Sequence, residues 1–182
     1  MESANFLTAT IEFVRTHQEW AVPIVFLLAF FESLAFLSLV MPATAILIGV
    51  GALIGAAGID FWSLWFAGGI GGVLGYSASY QIGVHFGERA YAVWPFRNHP
   101  ELIRKSQSFF DRFGVMAVFI GHFIGPVRAV IPVVAGVHAV KRIPFEIANV
   151  LAAFIWISSV LAPGFLAGSS DLASTWLMMG AR

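Results

Sequence analysis

Four long apolar runs with very few charges organise this chain. They cover residues 20–59, 61–86, 113–140 and 143–168, and a polar segment at residues 88–112 separates the second run from the third. A transmembrane helix needs about 20 consecutive apolar residues, so each run is long enough to enter or cross a membrane. The pattern predicts an all-α integral membrane protein, because helices satisfy their own backbone hydrogen bonds in lipid.

The third run contains a charge between two helix breakers. Arg128 lies between Pro126 and Pro132. A proline lacks the backbone N–H donor and breaks or kinks a helix, and a cation at the bilayer centre costs roughly 2.5–3.5 kcal/mol on insertion scales. Broken backbone at that depth is tolerated only where protein or a water-filled cavity covers it. We therefore predict a buried polar site here, with Gly125 and Gly136 as further helix-breaking positions.

The first run is too long for a single span and is also interrupted. Pro42 divides its 40 residues, and Glu32 is its one charge. Together with Pro42, we predict Gly51 in the glycine-rich second half to be a helix-breaking position. The length fits one span followed either by a second full span or by a re-entrant hairpin. The run alone leaves both possibilities open.

The second run predicts a helix that packs closely on its neighbours. Ala67, Gly71, Gly75 and Ser79 recur every four residues and therefore form one small-residue face. Close helix packing explains this face without any functional role. Tyr76 lies beside it and is a candidate to line a cavity.

Two segments outside the apolar runs are predicted to be amphipathic helices at the membrane surface. Residues 1–19 place apolar side chains at helical spacing. In the connector at residues 88–112, a helix over Pro100–Phe113 separates an apolar face from a polar one. The connector carries five basic residues, which favour anionic headgroups or a solvated surface: Arg89, Arg97, Arg104, Lys105 and Arg112.

The basic residues also favour a third run that turns back before crossing. Short loops rich in Lys and Arg stay on the cytoplasmic side. A full span at residues 113–140 would place the connector and the Lys141–Arg142 pair on opposite sides, whereas a re-entrant segment keeps both inside. For a hairpin at Pro42 the same argument rests on Arg15 alone.

Two hairpins that enter from opposite faces, each followed by a full span, form an inverted repeat. The predicted fold therefore has about three full transmembrane helices, two opposed re-entrant helical hairpins and amphipathic interfacial helices. Secondary transporters use this architecture and bind their substrates where the broken segments meet near the midplane.

Composition and charge exclude several classes of protein. The 182 residues are 59% hydrophobic and 11% charged, against about 25% charged in soluble domains. The net charge is zero and there is no cysteine, so nothing favours nucleic acid, disulfides or a thiolate metal site. No phosphate loop, nucleophile elbow or HExxH motif occurs, so we expect no enzyme activity, no cofactor and no metal. We expect residues 1–182 to form one membrane domain.

The candidate chemistry rests on Glu32 and Arg128. Buried charges are tolerated mainly in pairs, so we predict an interaction between these side chains across the two tips. Glu32 can exchange a proton, and Arg128 can bind an anionic headgroup because a guanidinium matches phosphate with two hydrogen bonds. His122 can join a proton relay or bind phosphate, and Thr44 offers a hydroxyl at the first tip. A static ion pair and a packed histidine are the structural alternatives.

With these residues in view, residues 30–168 resemble the DedA family, also called the VTT or SNARE-associated domain family. The stretches that carry the resemblance are FFESLAFLSLVMPATAILIGVGALIG, GGIGGVLGYSASYQIGVHFG and GHFIGPVRAVIPVVAG, of which the last is the most specific. The resemblance implies a multi-pass protein of the bacterial inner membrane that translocates lipids. Some members of the family recycle the lipid carrier undecaprenyl phosphate, and some depend on protons. Glu32 matches the family's first acid and Arg128 its second arginine.

The chain departs from the family pattern at three positions. Thr44 stands where many members have a second acid, His122 where many have an arginine, and Tyr76 where many have an aspartate. These departures count against proton coupling through a pair of acids. His122 can supply a titratable positive charge in place of the arginine, although a weaker one.

Three functions follow from these residues. The first is a transporter that moves an anionic lipid headgroup, a polyprenyl phosphate or a phospholipid, across the inner membrane with or without protons. The second is a proton-coupled carrier of a small soluble solute or ion. The third is a structural membrane protein in which the buried pair only stabilises the tips. Membrane lipids and protons are the expected partners, and an oligomer is compatible with each function.

Overall fold

The computed structural model describes residues 16–35, 43–94 and 96–169, together with residue 12; of residues 43–45, 125, 126 and 169 it describes only the backbone. Pro42 and almost all of the predicted N-terminal amphipathic segment lie outside these residues. Every regular element within them is helical, as predicted. The helices are α1 (Ala21–Ser33), α2 (Ala43–Ala57), α3 (Phe61–Phe86), α4 (Pro100–Phe113), α5 (Met116–Gly121), α6 (Gly125–Arg128), α7 (Ile131–Val137) and α8 (Arg142–Ser169), with short 3-10 turns at Gln18–Trp20, Gly87–Ala92 and Phe96–Asn98.

Two long helices, α3 and α8, pack against each other at the centre of the molecule. Both have the bounds that the apolar runs predict to within a few residues. Among the described residues, one helix is long and apolar enough to cross a membrane, Arg142–Gly168, with 27 residues and a mean hydropathy of 2.1. Helix length and composition therefore identify one candidate span, and this criterion does not establish the three spans that were expected.

The N-terminus of α3 has a side-chain cap. Asp60 Oδ2 accepts hydrogen bonds from the backbone N–H of Ser63 at 2.8 Å and from its hydroxyl at 2.7 Å. These bonds favour the ionised carboxylate and hold the pKa of Asp60 below its usual value. The cap satisfies donors that the first turn of a helix leaves free, and it fixes where α3 begins.

Four shorter helices pack on the two long ones in a repeated pattern. Helix α1 packs on α3, and α2 packs on α8. In the second half of the chain, α5 packs on α8 and α7 packs on α3. The long helix of the first half is α3 and that of the second half is α8. In each half, the first short helix (α1 or α5) therefore contacts the long helix of its own half, and the last one (α2 or α7) contacts the long helix of the other half.

The third apolar run is not a continuous helix. Helix α5 ends at Gly121, α6 has only four residues, and α7 begins at Ile131. Pro126 and Pro132 each occupy the first turn of the following helix, where a missing N–H donor costs no intrahelical bond. The prolines thus restart helices after the breaks at residues 122–124 and 129–130, which agrees with the predicted interruption beside Arg128.

Two of the glycines that we expected to break helices do not do so. Gly51 lies inside α2 and Gly136 inside α7. A Cβ on Gly51 would meet the Leu161 carbonyl oxygen of α8 at 2.8 Å, and one on Gly136 would meet the Val84 nitrogen of α3 at 2.8 Å. These glycines are needed because two backbones touch, and this requirement does not interrupt a helix. Gly125, in contrast, stands at the start of α6, next to a break.

The small-residue face of α3 makes the close contact that its spacing predicts. A Cβ on Gly71 would clash with the Phe26 carbonyl of α1, and one on Gly75 with the Phe30 carbonyl. Ser79 on the same face accepts a hydrogen bond from the backbone N–H of Ala35 at 2.9 Å. The face therefore holds the C-terminal end of α1 in contact with the middle of α3.

Large apolar side chains cover the outside of the molecule. They are exposed on α1, α3 and α8 and include Val22, Ile24, Leu27, Trp62, Phe66, Ile70, Leu74, Ile143, Ile147, Leu151, Ile155 and Leu166. Soluble monomers rarely expose apolar surface on this scale. This surface is suited to the hydrocarbon of a bilayer.

Helix α4 is the predicted amphipathic helix and has the predicted bounds. Ile103 and Phe110 on its apolar face are buried in the same core as the residues of α7. Gly114, with φ of 54°, ends the helix in a conformation that other residues rarely adopt. Its basic residues remain exposed on the opposite face.

We expect Gly83→Ala to destabilise the protein, because the added Cβ would lie against the Val133 carbonyl and 3.1 Å from Gly136 Cα. Overpacking of this kind costs about 1–3 kcal/mol. The matched control is Gly49→Ala in α2, whose Cβ would meet no atom of the described residues within 4 Å. Thermal unfolding in detergent should show a lower midpoint for the first variant and an unchanged or higher one for the second. Equal midpoints would contradict the close α3–α7 contact.

Candidate functional site

The candidate site is centred on Arg128, the last residue of α6. The α6 turn is held by a hydrogen bond from the Arg128 backbone N–H to the Ile124 carbonyl at 2.9 Å. The side chain is only 5% exposed. Helix α6 is short and lies between two breaks, so its orientation is independent of α5 and α7. The Arg128 side chain can therefore point into the protein interior.

Arg128 contacts the C-terminal end of α1. Its Nη1 lies 3.4 Å from Glu32 Oε1, and its Nη2 donates to Ser33 Oγ at 3.1 Å. Glu32 is 6% exposed, so both members of the ion pair are buried. A cation at a helix C-terminus also faces the negative end of the helix dipole. The structure thus brings together the two charges that the sequence predicted as partners.

An aromatic ring covers the guanidinium from a third direction. Arg128 Cζ lies 3.9 Å from the centroid of the Trp156 ring, which α8 contributes. This distance is typical of a cation–π interaction. Arg128 therefore connects α1 and α8 through the broken segment that carries it.

Tyr76 and His122 form a second part of the site. Both side chains are buried, and their ring centroids are 4.0 Å apart. Both side chains interact electrostatically with Arg128. The departures from the family pattern at these two positions are therefore neighbours in space.

The hydrogen bonding of His122 defines its tautomer. Its Nδ1 lies 3.2 Å from the Val118 carbonyl oxygen. A carbonyl oxygen only accepts, so Nδ1 carries the hydrogen. In the neutral ring, Nε2 then presents a lone pair and acts as an acceptor.

Three buried polar atoms of the site have no hydrogen-bond partner within the described part of the chain. They are Arg128 Nε, Tyr76 Oη and His122 Nε2. Leaving a buried donor or acceptor unsatisfied costs about 1–3 kcal/mol, and more for a charged group. Three such atoms around one cation indicate a site that is completed by water or a ligand.

Three residues that shape the site had no predicted role in it. Ser33 accepts from Arg128, Trp156 covers it, and Ser79 bonds the chain just after α1. A serine beside Glu32 was the one available signal. A tryptophan in an apolar helix does not by itself differ from one that faces lipid.

The predicted first tip is described only in part, and two further histidines lie away from the site. Pro42 is not described, and of Thr44 only the backbone is. His85 is exposed near the end of α3. His138 Nε2 lies 3.8 Å from Asp111 at the surface.

Glu146 Oε1 lies 3.8 Å from Arg142 Nε, and Glu146 also belongs to a network between the long helices. Ser77 Oγ donates to Glu146 Oε2 at 2.7 Å, and Asn149 Nδ2 donates to the Val73 carbonyl at 3.1 Å. This network joins α3 to α8. Within the residues that the structure describes, no three His, Cys, Asp or Glu side chains form a group that would suit a metal ion.

A helical bundle with an apolar exterior and a buried, incompletely bonded cation is the design of an integral membrane protein with an internal polar site. Comparison with known families agrees, because the VTT domain matches residues 41–166. The chain belongs to the VTT-domain family, the DedA family, and is a protein of the bacterial inner membrane.

Three relatives from Escherichia coli strain K12 illustrate the relationship, and each is named an inner membrane protein. YabI is 31% identical over 87% of this chain and 62% of its own length. YghB is 27% identical over 76% of the chain and 67% of its own length, and YqjA is 23% identical over 82% and 68%. The chain thus spans about three fifths of YabI. No solved structure matches the chain.

We expect the Arg128–Glu32 pair to be energetically coupled. Arg128→Met alone leaves a buried carboxylate without its cation, which costs about 3–5 kcal/mol. The double variant Glu32→Gln/Arg128→Met should lose less stability than the sum of the two single variants. The control is Arg142→Met, because this side chain is 68% exposed and its pair with Glu146 should contribute little.

Unfolding midpoints of the four variants in detergent measure the coupling. A double variant whose loss equals the sum of the two single losses would show that the pair is not coupled.

Proposed function

We propose that this protein moves an anionic lipid headgroup, best a polyprenyl phosphate, across the inner membrane through the Arg128 site. The observation that carries the proposal is the incompletely bonded cluster of Arg128, Tyr76 and His122 inside a membrane protein. A buried cation with unsatisfied donors is costly unless something binds there. An anionic headgroup provides both the charge and the acceptors.

The chemistry of the three free atoms favours a phosphate monoester. Arg128 Nε and Tyr76 Oη offer hydrogens, whereas His122 Nε2 offers a lone pair. A monoester monoanion has oxygens that accept and one P–OH that donates. A phosphodiester has no P–OH to give to His122. This complementarity supports a polyprenyl monophosphate over an ordinary phospholipid and lets the headgroup carry a proton with it.

The Glu32 contact supports an exchange mechanism. Its 3.4 Å separation from Nη1 is longer than the 2.7–2.9 Å of a strong charge-assisted hydrogen bond. A phosphate can therefore replace the carboxylate on the guanidinium at modest cost. Glu32 then takes up a proton or moves to another donor, and it returns to Arg128 when the headgroup leaves.

The repeated packing pattern supports a transporter-like topology. Each half of the chain has short helices that divide between its own long helix and the long helix of the other half. Two halves related by a pseudo-two-fold axis would pack in this way. In this proposal the short helices are two opposed re-entrant hairpins, the chain crosses the membrane about three times, and the lipid tail stays in the bilayer while the headgroup passes between the hairpins. An oligomer is compatible with the mechanism.

The proposal predicts that reconstituted protein accelerates the flipping of a labelled polyprenyl phosphate. Arg128→Lys should lower the rate at least tenfold, because lysine lacks the planar guanidinium that pairs with phosphate and stacks on Trp156. Arg112→Lys, an exposed arginine on α4, is the matched control and should keep the wild-type rate. Fluorescence quenching of the outer-leaflet label measures each rate.

Two outcomes would contradict this function. Equal flipping in empty and protein-containing liposomes would exclude lipid transport. Uptake of inorganic phosphate into sealed liposomes that depends on a proton gradient, without lipid flipping, would identify a carrier of a soluble anion instead.

The monoester assignment also predicts a pH dependence. The second ionisation of a phosphate monoester occurs near pH 6. The monoanion with its P–OH becomes more abundant as the pH falls through this value, so flipping of polyprenyl phosphate should rise between about pH 8 and pH 5.5. A labelled phosphodiester lipid is the control, because it has no proton to gain in this range. Equal pH profiles for the two lipids would contradict the role of the P–OH.

A further inference from the structure

We propose that Trp156 is a positioning residue for the headgroup site: its indole face holds the Arg128 guanidinium in place while Glu32 is displaced. The inference rests on the proposed function and assigns a role to a residue of α8. No sequence pattern distinguishes this residue. Its side chain is 5% exposed and therefore belongs to the interior.

The geometry of Arg128 shows why such a residue is needed. Its in-plane contacts come from the adjacent residues Glu32 and Ser33, both at the C-terminal end of α1. Its Nε has no partner in the described part of the chain. When a phosphate replaces Glu32, the guanidinium therefore loses half of the contacts that α1 provides.

Trp156 contacts a different part of the guanidinium. Arg128 Cζ lies over the ring, 3.9 Å from its centroid, and the ring has no oxygen that would compete with a phosphate for the N–H groups. A cation–π interaction gains strength when the pair is desolvated, as here. The contact can therefore persist in both states, with Glu32 bound and with the headgroup bound.

The helix that carries Trp156 is not the one that carries Glu32, so the exchange of Glu32 for a phosphate does not involve it directly. Trp156 is on α8, which packs on α2, α3 and α5, whereas Glu32 and Ser33 are on α1. Two neighbours of Trp156 in α8, Ile157 and Ala153, are themselves fully buried. A movement at the end of α1 therefore does not require the indole to move.

The test replaces Trp156 alone with tryptophan analogues that carry one to four fluorines. Fluorine withdraws charge from the ring face and changes its size little, so it weakens a cation–π contact stepwise. We expect the flipping rate of labelled polyprenyl phosphate to fall with each fluorine, by roughly tenfold at four. Trp156→Phe should retain more activity than Trp156→Leu, because phenylalanine keeps an aromatic face.

The control places the same analogues at Trp65. Trp65 belongs to α3 and contacts α8. Its Nε1 donates to Ser158 Oγ at 2.7 Å, and its ring packs on Phe154. No cation lies over its ring among the described residues. The rate should not depend on fluorination at this position.

The outcomes separate the inference from the proposed function. A rate that falls stepwise at Trp156 but not at Trp65 supports the inference. If every variant with a fluorinated Trp156 flips lipid at the wild-type rate, the inference is overturned and lipid transport remains intact. Wild-type liposomes that flip no faster than empty ones overturn lipid transport, and the positioning role fails with it.

Discussion

The burial of one guanidinium is the constraint on which the rest of this structure depends. A cation that cannot lose its charge must be compensated when it leaves water. Arg128 obtains a carboxylate and a hydroxyl from α1 and an aromatic face from α8. Three separate parts of the chain must therefore meet at one point. Within the described part of the chain this compensation is incomplete, because Nε and the neighbouring tyrosine and histidine keep unused hydrogen-bonding atoms.

Backbone contact between helices allows these parts to meet. Short helices have little side-chain area to bury, so they need close approach to be held firmly. Glycines provide it where α1 and α7 pack on α3 and where α2 packs on α8. Since lipid offers no hydrophobic drive for helix association, such contacts rest on van der Waals packing and a few hydrogen bonds. The broken segments can then stay in place at membrane depth without being continuous helices.

A static ion pair and an exchange site make different demands on geometry. A pair that only stabilised the fold would be expected to satisfy all its donors with short hydrogen bonds. Here the Arg128–Glu32 contact is long, and the unused atoms lie on the arginine and the residues beside it. This arrangement favours a second, anionic occupant. The tautomer of His122 adds a chemical preference, because a site with two donors and one acceptor distinguishes a monoester from a diester.

The sequence by itself determined the helical class, the bounds of α3 and α4, the break around Arg128 and its pairing with Glu32. These features follow from local rules, namely apolar run length, proline chemistry and the rarity of buried charges. Only the tertiary structure decided that Gly51 and Gly136 serve packing inside helices, that Ser33 and Trp156 complete the arginine's surroundings, and which nitrogen of His122 is free. The glycine contacts and the Arg128 contacts join residues far apart in the sequence, such as Ser33 and Arg128, which are 95 positions apart. The His122 tautomer instead follows from a carbonyl four residues earlier, whose position depends on the helix that forms there. A pattern along the chain cannot specify which faces of distant helices will touch.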